Sequence, residues 1–141
     1  MRLAFVVLLV ACGSPPVRKT PPKELPADSL GDIAGRWVTS DDMDIGYSMT
    51  IDDSGGIDVW IDRGKMGRCE QKGSIAAAAS RTFRVVYKIG ECVPQSVGVP
   101  LGMKVPSFTG DSLTVVVGEQ SRTYQRAPEP TSQTDSPVQL Q

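Results

Sequence analysis

The sequence predicts an all-β domain over residues 31–126, a small antiparallel meander barrel of about eight strands, and three observations predict it. Apolar residues recur there with a period of two. Clusters of Gly, Asp and Ser break that alternation at short intervals, at 52–56, 63–67, 109–111 and 118–119. The alanine run at 76–79 could form one helical turn, but four alanines cannot hold a helix alone.

The elements follow in order. A first strand is expected at 36–40. In 45–52, Tyr47, Met49 and Ile51 alternate with Ser48, Thr50 and Asp52, and in 56–62, Ile57, Val59 and Ile61 alternate with Asp58, Trp60 and Asp62. One apolar and one polar face is the pattern of half-buried antiparallel strands. A strand at 68–75 comes next, then 82–90, where Phe83, Val85, Tyr87 and Ile89 share a face. Strands at 103–108, 112–118 and 120–126 complete the set, with Leu113, Val115 and Val117 facing one way. Short strands joined by short turns close most simply into a barrel, which leaves no exposed edge.

Ahead of the domain, Leu3 to Ala11 is wholly apolar behind Arg2. Nine residues rise about 14 Å as a helix, against roughly 30 Å of bilayer hydrocarbon, so this run cannot span. A basic start, a short apolar core and a small residue before a cut mark a secretory signal, expected at 1–11. The quartet Leu9-Val10-Ala11-Cys12 resembles the lipobox of bacterial lipoproteins. The resemblance implies cleavage before Cys12 and a Cys12 bearing diacylglycerol and a third acyl chain such as palmitate. Two or three chains anchor stably where one does so marginally. Gly13 in place of aspartate after the cysteine implies the outer membrane, with the protein facing the periplasm. An ordinary signal peptide, or a misplaced start, is the alternative.

Residues 12–30 read as a lipidated, proline-rich linker, with prolines at 15, 16, 21, 22 and 26. Such a segment is expected to stay extended and unfolded, reaching up to roughly 50 Å at about 3.1 Å per residue. Residues 127–141 hold three prolines and no basic residue, and are expected to be a disordered tail.

DSLGDIAGRW, residues 28–37, resembles the lead-in to a lipocalin-like (calycin) barrel. There a 3₁₀ turn precedes a first strand carrying Gly-x-Trp, here Gly35-Arg36-Trp37. The resemblance implies that a late-strand arginine, Arg126 or else Arg122, packs over Trp37 and bonds carbonyls of that turn, closing one end. A roomy cup inside would imply carriage of a small apolar ligand. A filled interior would imply a structural or inhibitory protein acting through its outer surface, with an envelope protein as partner.

With Cys12 acylated, Cys69 and Cys92 remain, and an oxidising compartment makes them a disulfide, two buried free thiols being the alternative. A tight hairpin turning near Ala78 would set Cys69 against Lys88, so a bulge or bend at Gly90 is needed to bring Cys92 round.

Residues 35–126 hold eleven basic and eleven acidic residues, segregated along the chain. Seven aspartates between 41 and 62 precede Arg63, Lys65, Arg68, Lys72, Arg81, Arg84 and Lys88. Neighbouring strands from the two halves would set opposite charges across the sheet and help fix register; separate acidic and basic faces are the other reading. No basic, aromatic-interleaved surface for nucleic acid is present.

The 141-residue chain contains no histidine, which removes the commonest general base and metal ligand. Neither aspartate-rich stretch, 41–44 or 52–56, has the glycine and glutamate spacing of a calcium loop. No nucleophile elbow, phosphate loop or Cys-x-x-Cys occurs, so no enzyme, metal or cofactor is expected. Trp60 falls on the outer face between Asp58 and Asp62: either a cover over neighbouring side chains or an aromatic anchor for a protein partner.

Overall fold

A computed structural model describes Gly13 and residues 20–128. Eight antiparallel strands close into a barrel in the order β1 to β8, each pairing with the next and β8 returning to β1. They are β1 (Gly35–Ser40), β2 (Gly46–Ile51), β3 (Gly56–Asp62), β4 (Arg68–Ala79), β5 (Thr82–Gly90), β6 (Leu101–Phe108), β7 (Ser112–Val117) and β8 (Gln120–Arg126). Alternation does what the pattern requires: Met49 and Ile51, Ile57 and Val59, Phe83 and Val85, and Leu113 and Val115 are all buried. The sheet also meets acid with base, Asp58 lying opposite Lys72 and Asp62 opposite Arg68.

The meander fixes the two ends of the barrel. Turns 52–55, 80–81 and 109–111 lie at one end with the start of β1 and the end of β8. The connections 41–45, 63–67, 91–100 and 118–119 lie at the other.

The first end is shut. One helical turn, α1 (Leu30–Ile33), sits across it. Trp37 is fully buried there, its indole N–H donating to the Ile33 carbonyl at 2.9 Å and its ring meeting Phe108 edge-on at 6.0 Å.

Part of the expected linker belongs to this floor. Leu25 donates its N–H to the Phe108 carbonyl at 2.7 Å, and Ala27 is fully buried. The Glu24 carboxylate accepts from Ser107 Oγ at 2.7 Å and the Phe108 N–H at 2.9 Å, which holds it below the usual carboxylate range. Arg81 donates to the carbonyls of Leu25 at 2.6 Å and Val105 at 3.1 Å. Proline-rich composition counts only what a segment buries against itself. Residues 24–29 bury little of their own; they dock on an existing floor. The domain therefore starts near Glu24, not at residue 31.

Two further expectations are corrected in the β4–β5 hairpin. The alanine run is strand, because Ala76 and Ala77 pair with Arg84 and Phe83, and β4 runs to Ala79. The turn is Ser80-Arg81, with Arg81 at φ 52°, two residues beyond the expected place. A shift at Ala77/Ala79 is offset by another at Lys72/Gly73, so Gln71 faces Gly90. Continuing that register sets Cys69 opposite Cys92, and the two are joined with their Cα atoms 5.2 Å apart. The bulge is at Lys88, the extra residue of β5 between Tyr87 and Ile89 opposite Lys72 and Gly73, not at Gly90. Gly73 permits it: a Cβ there would run into the Val86 carbonyl oxygen and come within 2.6 Å of Tyr87 Cα.

Candidate functional site

The same alternation that fills the floor leaves the other half of the barrel hollow. Trp37, Ile33, Ile51, Phe83, Val105 and Leu113 pack the closed half. Above them an open-mouthed cavity of about 360 Å³ is walled by aliphatic residues including Ile61, Leu101 and Val117. The polar lining groups are Gln71, Ser96, Gln120, Arg122 and the tyrosines Tyr47, Tyr87 and Tyr124.

The 91–100 connection folds over part of the mouth, with Val93 and Ser96 facing the cavity. It carries a short 3₁₀ turn at Pro94–Ser96. Several bonds hold it. The Gly98 N–H donates to the Tyr87 carbonyl and the Glu91 N–H to the Glu70 carbonyl, both at 2.9 Å. Gln71, 7% exposed, donates from Nε2 to Ser96 Oγ at 3.0 Å, and that hydroxyl donates to the Val93 carbonyl at 2.6 Å. The disulfide pins the start of this flap to the start of β4. Gly90 is needed here for a different reason than a bend: a Cβ would lie 2.6 Å from Val97 Cγ2.

Opposite the flap, the 41–45 turn is organised by Asp41. One carboxylate oxygen accepts from the Met43 and Ile45 N–H groups at 2.9 and 3.0 Å, and the other from the Tyr47 hydroxyl at 3.2 Å. The Ile45 bond is the chief reason its carboxyl lies below the usual range. Arg122 from β8 lies over the Tyr47 ring, its guanidinium carbon 3.6 Å from the centroid. Burial pushes the Tyr87 phenol up to about 12, helped by neighbouring Tyr124. Tyr124 is also raised by burial, with Arg122 beside it acting in the opposite direction. Both phenols are therefore neutral hydroxyls at any physiological pH.

The barrel-closing residues of the sequence analysis come together. Arg126 lies over the Trp37 ring at 4.3 Å and donates to the carbonyls of Gly110 at 2.8 Å and Ala34 at 3.3 Å. Gly35, at φ 136°, is what lets it in, since a Cβ would sit 2.5 Å from Arg126 Nη1. Arg122, the alternative partner, is at the opposite end of the barrel. Trp60 is half-buried on the outer wall, with Arg68 stacked at 4.9 Å, so one aromatic face is already covered by a cation of this chain. Beside it Asp58 keeps one buried oxygen without a partner among the described residues, and Glu70 is pushed up by burial and by Asp58. Cys12 lies outside the described residues.

Sequence reasoning missed the mouth. Alternation puts Arg122 and Tyr124 on one face, but only the register shows which end of the barrel each serves. Ser96 and Val93 belong to an irregular connection with no periodicity to read. Among the described residues, no three His, Cys, Asp or Glu side chains are grouped to hold a metal ion. No family model matches the sequence, and neither a curated protein nor a solved structure matches the chain.

Proposed function

We propose that this chain is a lipid-anchored outer-membrane lipoprotein whose lipocalin-like barrel is a non-catalytic binding domain for a small apolar ligand. The observation that carries the binding reading is the open cavity of about 360 Å³ with a mainly aliphatic wall. Ligand sites generally occupy about 300–1,000 Å³, and by proportion to the roughly 150 Å³ cavity that takes benzene, about fourteen non-hydrogen atoms fit this one. The cavity favours this reading over the alternative, a filled barrel working only through its outer surface. Lack of histidine and of any nucleophile motif supports a role without catalysis.

Anchoring through Cys12 rests on the Leu-Val-Ala-Cys quartet. The chain reaches the floor at Glu24 and leaves it at Ala127, which donates its N–H to the Arg36 carbonyl at 2.8 Å. A tether from Cys12 would join the closed end, which leaves the mouth clear of the anchor.

The test is saturable uptake of a neutral apolar dye by the purified chain. One site per chain, with the emission shift of a dry environment, is expected. Absence of saturable uptake, with the barrel shown to be folded by cooperative unfolding, overturns the binding reading.

A further inference from the structure

Among the described residues, Arg122 is the one cation that lines the cavity. Its near polar neighbours are the Tyr124 hydroxyl and the Asp41 carboxylate, both of which feel its charge. Asp41 is the acid that shares its turn-side neighbourhood, but all its hydrogen bonds go to Met43, Ile45 and the Tyr47 hydroxyl. Among the described residues, the ion pair formed is Arg81 with Glu24 at the far end, and no carboxylate lies within ion-pair reach of the Arg122 guanidinium. Its contact with the Tyr47 ring does not use its N–H donors. A pre-positioned fork of donors on an otherwise apolar wall matches an oxyanion, because Arg pairs with carboxylates through parallel bonds.

The groups around it agree. Tyr124 is two residues along the same inward face of β8, and Tyr87 is its electrostatic neighbour. Both phenols stay protonated, so they can donate to an acceptor and add no negative charge that would repel one. Below them the wall is aliphatic, with Ile57, Val59, Val85, Met103 and Val115. Polar donors sit at one side of the cup and apolar surface fills the rest.

Resting on the reading of the cup as a ligand site, we infer that its ligand is a compact amphiphilic monoacid, of about the size of a medium-chain carboxylate, with its head held by Arg122 and the hydroxyls of Tyr124 and Tyr87. The apolar body lies in the cup, and the flap at 91–100 covers it. Size follows from the volume: a ten-carbon acid has twelve heavy atoms, close to the estimated capacity.

The experiment is calorimetric titration of the full chain with decanoate and with decan-1-ol, both kept below aggregation. The two share a body and differ in the head. Decanoate is expected to bind about 10- to 100-fold more tightly at neutral pH, the worth of a hydrogen-bonded charge. Arg122→Met should bring decanoate down to the affinity of the alcohol and leave the alcohol unchanged. Equal affinity of wild type for acid and alcohol, or a preference that survives Arg122→Met, overturns the inference and leaves the cup reading standing. If acid, alcohol and neutral dye all fail to bind, the cup reading falls and the inference with it. The wild-type comparison decides the matter even where the variant does not fold, and Tyr124→Phe, expected to weaken decanoate alone by severalfold, supplies a second test.

Discussion

Replacing Arg126 with alanine tests how the floor of the barrel is held. The side chain gives up three interactions at once: a cation over the Trp37 ring at 4.3 Å, and bonds to the carbonyls of Gly110 and Ala34. A cation–π contact contributes about 0.5–1 kcal/mol where partly exposed, and rises when desolvated. A hydrogen bond from a charged donor to a carbonyl contributes about 1.5–3 kcal/mol when dry. Arg126 is exposed, so water takes over much of what the carbonyls lose. The expected cost is about 2 kcal/mol, within a range of about 1–3. Urea unfolding with the disulfide intact measures it, read as a change in midpoint at constant slope. Arg122→Ala is the comparison, because its guanidinium rests on Tyr47 at the mouth and bonds no carbonyl of the floor; about 0.5 kcal/mol is expected there. A loss near zero for Arg126→Ala, or a larger loss for Arg122→Ala, refutes the assignment. Gly35→Ala sharpens the argument, since its Cβ would sit 2.5 Å from Arg126 Nη1. Part of that penalty should disappear in the double variant, leaving a non-additive cycle.

Four other outcomes are expected. Cys12→Ser should release the protein from the membrane fraction; a serine variant that still pellets, with no acyl mass on the wild type, refutes lipidation. Denaturation without reductant should expose no labelable thiol at Cys69 or Cys92, and reducing the bond should cost about 3 kcal/mol in the chain-entropy picture. Tyr87 has a folded pKa of about 12, above the 10 of a free phenol, so the unfolded chain loses its proton first. The Tyr87 contribution should be constant from neutral pH to about 9 and fall by about 2 kcal/mol as pH rises from 10 to 12, a slope that Tyr87→Phe reduces. Trp60→Ala should lower stability by about 1 kcal/mol, through the Arg68 stack it loses; an unchanged midpoint with loss of a co-purifying envelope protein would make Trp60 a docking residue instead.

The strands were legible because each buries one face only, so period two writes itself into the sequence. The eight expected strands match the eight found, and the ends that differ do so for local reasons. The fourth strand continues through Ala76–Ala79 because alanine carries no directional signal, and pairing with β5 decides the matter. The sixth begins at Leu101, before the alternation is regular, and its register slips between Lys104 and Ser107, where Pro106 can give no ladder bond. The floor strap at 24–29 was illegible for a different reason. Its stability resides in Arg81, Ser107 and Phe108, some 50 to 80 residues away in sequence, and no window of the strap itself contains them. Arg81 also carries the positive φ of its turn, so one residue makes the hairpin and clamps the strap.

The two ends of the barrel meet in a single strand. Arg122, Tyr124 and Arg126 share the inward face of β8, and four residues of strand span about 13 Å. That distance separates floor from mouth. At the floor, Arg126 has carbonyls to bond and an indole to cover, and its charge is spent on closing the barrel. At the mouth, β1 and β8 pair only through Trp37–Arg126 and Val38–Gln125, so the seam is unpaired by the level of Arg122. No carbonyl of β1 takes its donors there. The same residue type, placed by the same alternation, bonds carbonyls where the seam is closed and rests on a tyrosine ring where it is open. The hollow half of the barrel therefore has its cation at the gap in its own wall, facing the cavity that the tyrosines line.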